Sequence, residues 1–152
     1  MTPPTARLRE LGISLPSVAA PAGAYVPARR SGSLVFTAGQ VPFVDGVLAA
    51  TGKVGAEITP EQGYELARTC TLNALAAVDD LVGLDAVAGV VKVVGFVASA
   101  PGFTGQPGVI NGASELLGAV FGEAGRHARS AVGVAELPLG APVEVELVVE
   151  LS

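Results

Sequence analysis

Arg129, Glu144 and Glu146 are the side chains best suited to chemistry, because each is a charge set within a β-prone run. A guanidinium is a planar fork of donors that fits a carboxylate, and a nearby carboxylate can orient or deprotonate a water. Strand alternation puts Arg129, Ala131, Gly133 and Ala135 on one face, and Ser130, Val132 and Val134 on the other. The residues alone leave two readings of Arg129 and Glu144 open, an ion pair at an interface or a ligand site. His127 is a possible general base, but it falls in a loop after Gly125, where a hydrogen-bonded imidazole is the plainer expectation. Cys70 lies on the apolar stripe of a helix and reads as a small core residue, since a reactive thiol needs an exposed, electropositive setting. Tyr25 is either a core aromatic or a residue closing a pocket, because its ring is apolar and its hydroxyl needs a partner. The glycine-bearing stretches 51–55 and 103–108 match no phosphate-loop spacing and read as turns.

These residues must be carried by a small set of elements. Thr5–Leu11 can form a short helix, and Leu15–Gly23 runs on as a Pro- and Ala-rich arm. Tyr25–Arg30 and Leu34–Ala38 are β-prone runs around the turn Ser31-Gly32-Ser33. Asp45-Gly46 marks a further turn. Thr59-Pro60-Glu61-Gln62 combines a capping hydroxyl, a proline at the first helical position and a capping-box glutamine. Ala67, Cys70, Ala74, Val78 and Leu81 then recur at helical spacing until Gly83. A second helix follows Pro107 with a stripe of Val109, Ile110, Ala113, Leu116, Leu117, Val120 and Phe121, stopped by Gly122 and Gly125. Val90–Val97 is a strand between them, and Arg129–Leu137 and Val143–Leu151 are strands after them. The order is β-β-α-β-α-β-β, an α+β sheet with two helices on one face. The helix-free face, on which we place Arg129, Ala131, Gly133 and Glu144, then needs cover from neighbouring subunits.

Composition narrows the classes. Of 152 residues half are apolar and only 15% charged, which excludes disorder and fits one unit spanning 1–152, with 1–23 as N-terminal helix and arm. Nine Lys and Arg against fourteen Asp and Glu give a net charge of -5 without any cationic cluster, so no nucleic-acid partner is expected. The uncharged run Val93–Ser114 is broken by Pro101, Pro107 and several glycines and is not a membrane span. Residues 1–10 contain no apolar leader-like stretch, and we expect a cytoplasmic protein. A single cysteine and a single histidine predict neither a disulfide nor a metal site.

Two segments carry a likeness to a known family. The run 128–146, Ala-Arg-Ser-Ala-Val-Gly-Val-Ala-Glu-Leu-Pro-Leu-Gly-Ala-Pro-Val-Glu-Val-Glu, resembles the signature of the RidA/YjgF family of reactive-intermediate deaminases, once called L-PSP endoribonucleases. So do Ala24-Tyr25-Val26 and Leu34-Val-Phe-Thr-Ala-Gly-Gln-Val-Pro42. The resemblance runs from Tyr25 to the C-terminal strand in the same element order and points to a divergent subgroup. It implies a chorismate-mutase-like fold, a homotrimer with ligand sites between subunits, and hydrolysis of 2-imino acids or enamines to 2-keto acids and ammonia, with no cofactor and no metal. By motif position, Arg129 would clamp the substrate carboxylate and Glu144 would hold the attacking water. Tyr25, Gly39, Asn111 and the backbone at Ala131 would line the pocket. The chain has Ala38 where the family usually has serine, and Ala131 where it usually has cysteine. The competing implication is a non-catalytic trimer that binds a small carboxylate.

Overall fold

The computed structural model describes residues 2–152. Helix α1 spans Pro4–Glu10, and strands β1 (Ala28–Ser31) and β2 (Leu34–Thr37) form the expected hairpin. Two very short strands, β3 (Phe43–Val44) and β4 (Val47–Leu48), flank the Asp45-Gly46 turn. Both turn residues have positive φ, 52° and 81°, which is the two-residue turn that an Asp-Gly pair favours. Then come α2 (Pro60–Val82), β5 (Val87–Ala98), α3 (Gln106–Phe121), β6 (Ala128–Val134) and β7 (Val143–Leu151).

The anticipated helix start holds in atomic detail. The Thr59 hydroxyl accepts from the Gln62 N–H, and the Gln62 side chain accepts from the Thr59 N–H. Helix α2 buries an alanine-rich stripe that includes Ala67, Cys70, Ala74, Ala77 and Val78. Small side chains let it settle closely on β7 and α3. Helix α3 buries Val109, Ile110, Ala113, Leu116, Leu117, Val120 and Phe121, the stripe expected from the sequence.

The five-stranded sheet runs β1-β2-β7-β5-β6. Strands β5 and β6 are parallel and joined by α3, while β7 lies antiparallel between β2 and β5. The last two strands are therefore not a hairpin. A 12-residue β5 offers β7 a much longer apolar ladder than β6 could, and that pairing buries Val143, Val145, Leu147 and Val149 beneath α2, while α3 covers β5 and β6.

Tight approaches fix how the helices sit. A Cβ at Gly112 in α3 would lie 2.0 Å from the Tyr64 carbonyl oxygen in α2. Backbone cannot yield as a side-chain tip can, so Gly112→Ala must push the helices apart. We expect it to cost roughly 3 kcal/mol and lower the melting temperature by roughly 10 °C in thermal unfolding. Gly118→Ala, in the same helix with open space around its Cβ position, should leave stability unchanged or improve it. Among the described residues no helix is long and apolar enough to cross a membrane.

Candidate functional site

The sheet divides the site residues between its two faces. Val93, Gly95 and Val97 of β5 turn toward the helices and are matched on β6 by Arg129, Ala131 and Gly133. Val94 and Phe96 turn away and are matched on β7 by Glu146 and Glu144. Arg129, Ala131 and Gly133 thus face α3, which corrects the expectation that they lie on the helix-free face with Glu144. Each has a reason to be there. Ala131 packs against the core, Gly133 leaves room for the side chains of Ser99 and Gln106, and Arg129 reaches polar groups of α3. The helix-free face instead carries Phe36 and Val132, both more than two-fifths exposed, together with the two glutamates.

Glu144 forms one half of the candidate site. It lines a cleft of about 210 Å³ with Tyr25, Gly39, Gln40, Val41, Phe43, Pro138, Leu139 and arm residues Ala19–Ala22. Tyr25 is half exposed, and its hydroxyl accepts from the Ala22 N–H at 3.1 Å, so the ring closes this cleft and does not fill the core. Leu139 adopts φ 63° and projects largely into solvent at the rim. A leucine held in left-handed backbone is strained, a feature found preferentially at functional positions. Burial, reinforced by the neighbouring Glu146 charge, raises the Glu144 pKa from its ordinary value.

Gly39 is required here by space and not by backbone conformation. A Cβ at that position would lie 2.8 Å from the Glu144 Cδ and 3.0 Å from its Oε1. Because the obstructing atoms end a flexible side chain, Gly39→Ala should shift the carboxylate while leaving the melting temperature almost unchanged. Ligand binding or turnover at this cleft should fall at least tenfold, since small misplacements at a reacting centre are costly. Titration calorimetry beside thermal unfolding checks both parts.

Arg129 forms the other half, on edge strand β6. Its Nη1 donates to Asn111 Oδ1 at 2.8 Å and to Ser114 Oγ at 3.2 Å. Asn111 accordingly holds the arginine and does not line the Glu144 cleft. Ala131, two residues along, lies on the sheet's outer edge, where β6 has no further strand beside it and alternate backbone groups stay open. Arg129 also borders an open groove with Ser114, Gly118, Gly125, Arg126 and His127. The imidazole of His127 is tied down, with Nδ1 2.7 Å from the Gly125 carbonyl and Nε2 2.9 Å from Ser114 Oγ. Cys70 is fully buried and its thiol pKa is pushed well up, first by burial and then by Glu144, so it is a core residue as expected.

Within one chain the halves do not meet. Arg129 is level with Val93 and Glu144 with Phe96, three residues along β5 and two strand spacings apart. That separates their backbones by roughly 14 Å, with side chains on opposite faces. The structure brings Tyr25, Gly39 and Glu144 to one cleft, whereas Ser114 and the rim formed by the arm and Leu139 were not anticipated from the sequence. The signal for Ser114 was present, since Asn111 and Ser114 are polar residues at i, i+3 and so lie side by side on α3. Among the described residues no three His, Cys, Asp or Glu side chains converge as metal ligands would.

A mixed five-stranded sheet with helices layered on one face is an α+β architecture of the chorismate-mutase-like class. The family model described as YjgF/chorismate mutase-like, an endoribonuclease family by name, matches residues 5–151, and the chain belongs to this family. Protein TCP17 of Trypanosoma cruzi is 49% identical over 149 residues, 97% of this chain and 93% of that protein. A protein of unknown function from Agrobacterium tumefaciens is 43% identical, with TM-score 0.90 over 98% of this chain and 92% of its own. A Shewanella oneidensis protein that bears the endoribonuclease name is 36% identical, with TM-score 0.95 over 99% and 100%. The YjgF gene product of Escherichia coli is 26% identical, with TM-score 0.65 over 88% and 93%, a looser likeness than either.

Proposed function

We propose that this protein is a homotrimer that hydrolyses small 2-imino acids or their enamine tautomers to 2-keto acids and ammonia, with each site made between two subunits. The observation that carries this reading is the division of the site. One half has a partly buried carboxylate and no cation in its lining, and the other has an anchored guanidinium and no carboxylate. Apposing the two across an interface would give a substrate carboxylate its clamp and a water its orienting base. An imine is already electrophilic, so positioning and one carboxylate can supply the modest acceleration needed without a strong nucleophile. The exposed apolar side chains of the helix-free face, including Phe36 and Val132, are suitable for covering by another copy.

The endoribonuclease name of the Shewanella protein is not carried over, because a chain with net charge -5 and dispersed cations is poorly suited to phosphate contacts. A second reading, a trimer that binds a small carboxylate without turning it over, is favoured by Ala38, which offers no hydroxyl beside Gly39. The test generates imino acids in situ with an amino-acid oxidase and follows keto-acid and ammonia release with and without the protein, in the presence of EDTA. Acceleration supports the deaminase, and binding of a 2-keto acid without acceleration supports the carrier. Light scattering should return three times the monomer mass.

The pKa of Glu144 gives opposite pH trends for stability and for activity. Because its folded-state pKa is raised, the native chain holds this proton more tightly than the unfolded chain, and stability falls as pH rises through that pKa. Glu144→Gln should therefore melt at a higher temperature than the wild type at pH 7, the gap closing in acid below the ordinary carboxylate range. Wild-type turnover should instead rise with pH across the same window, since only the ionised form accepts a proton from water. Equal melting temperatures at pH 7 would count against a desolvated Glu144.

A further inference from the structure

Arg129 is held in a particular way. Both hydrogens of Nη1 are occupied by α3, one by Asn111 Oδ1 and one by Ser114 Oγ. Among the described residues Nε and Nη2 have no hydrogen-bond partner, so the side-on edge of the fork, which donates two parallel bonds, is left for a ligand. Behind Ser114 stands His127. The Gly125 carbonyl can only accept, so the 2.7 Å contact requires a proton on Nδ1. In the neutral ring Nε2 is then an acceptor, and the Ser114 hydroxyl donates to it at 2.9 Å. With its single proton directed at His127, the Ser114 oxygen must present a lone pair to Arg129. The chain Gly125–His127–Ser114–Arg129 therefore has one direction of donation.

We infer that Ser114 and His127 are positioning residues for ligand binding, which hold Arg129 so that its Nε/Nη2 edge faces the carboxylate. The inference rests on Arg129 being the carboxylate clamp proposed above. The sequence supports a purpose beyond packing. An arginine needing only solvation could extend into water from an exposed edge strand, yet here four polar groups from α3 and the loop before β6 fix one orientation. Prepaying that order removes a side-chain entropy cost from each binding event.

The test compares Ser114→Ala, His127→Ala and His127→Gln trimers, with Arg129→Ala as reference. Binding of 2-oxobutanoate is measured by calorimetry, turnover by keto-acid release, and the guanidinium is located in crystals of each variant. Ser114→Ala and His127→Ala should weaken binding about tenfold with kcat at saturation and melting temperature nearly unchanged, the size expected for losing an oriented hydrogen bond to a charged group. The guanidinium in Ser114→Ala crystals should occupy more than one position. His127→Gln, whose amide oxygen can accept from Ser114, should recover most of the affinity. If Arg129→Ala loses binding while Ser114→Ala and His127→Ala bind normally with the guanidinium in place, the inference is overturned. If Arg129→Ala binds normally, the clamp itself fails. The positioning role for ligand binding, which rests on that clamp, is then overturned with it, whatever the crystals show.

Discussion

In the trimer proposed above, mixing Arg129→Ala and Glu144→Ala subunits, each nearly inactive alone at low substrate, is expected to restore up to about one quarter of wild-type activity after subunit exchange. The fraction follows from closed threefold symmetry. In a random equal mixture, a site needing Arg129 from one chain and Glu144 from its neighbour finds both intact in about one case in four. A site built within one chain would recover nothing, because every chain in the mixture lacks one of the two. The expectation derives from the strand order. Inserting β5 between β6 and β7 sets the two side chains on opposite faces, too far apart to share a small substrate within one chain. Activity that stays at zero, with subunit exchange shown by mass spectrometry and wild-type controls active, would defeat the shared site.

Removing the guanidinium should be nearly as damaging. Arg129→Ala is expected to lower kcat/KM by two to three orders of magnitude, the roughly 2–5 kcal/mol usual when one partner of a desolvated charge pair is truncated. Arg129→Lys should recover little of it. An ammonium is a point charge with three donors, and if it serves Asn111 and Ser114 it has no planar edge left to offer a carboxylate. The loss should appear in KM more than in kcat, because the carboxylate is bound in both the ground state and the transition state. Since Arg129 is on an edge strand and only partly buried, neither variant should alter the melting temperature by more than a few degrees. Wild-type kinetics in an intact Arg129→Lys trimer would remove Arg129 from the site.

Much of the architecture was legible in the chain because it depends on neighbours in sequence. Thr59, Pro60 and Gln62 announce the start of α2 through bonds that span three residues, and Gly83 and Gly122 mark where α2 and α3 end. The alternation of Val143, Val145 and Leu147 with Glu144 and Glu146 defines β7 with the limits expected, Val143–Leu151. The motif around Tyr25 and Gly39 and the run from Arg129 to Glu146 pointed to the right family. The tiny strands β3 and β4 were less visible, since two residues on either side of Asp45-Gly46 are too short for a periodic pattern.

What the sequence by itself determined was which residues share a face: alternation groups Arg129 with Ala131 and Gly133, and Glu144 with Glu146, whatever the fold. It did not determine which face turns to the helices, because a strand with alanine and glycine on one side and valine and serine on the other presents no decisive apolar contrast. Only the tertiary structure decided that. Helix α3 supplies Asn111 and Ser114 as partners for a guanidinium that could not be buried without them, and Ser99 and Gln106 fill the space over Gly133. The separation of Arg129 from Glu144 likewise arose from a non-local choice. Strand pairing follows the longest apolar ladder available, and for β7 that ladder was β5, thirty-odd residues before the strand that precedes it in the chain.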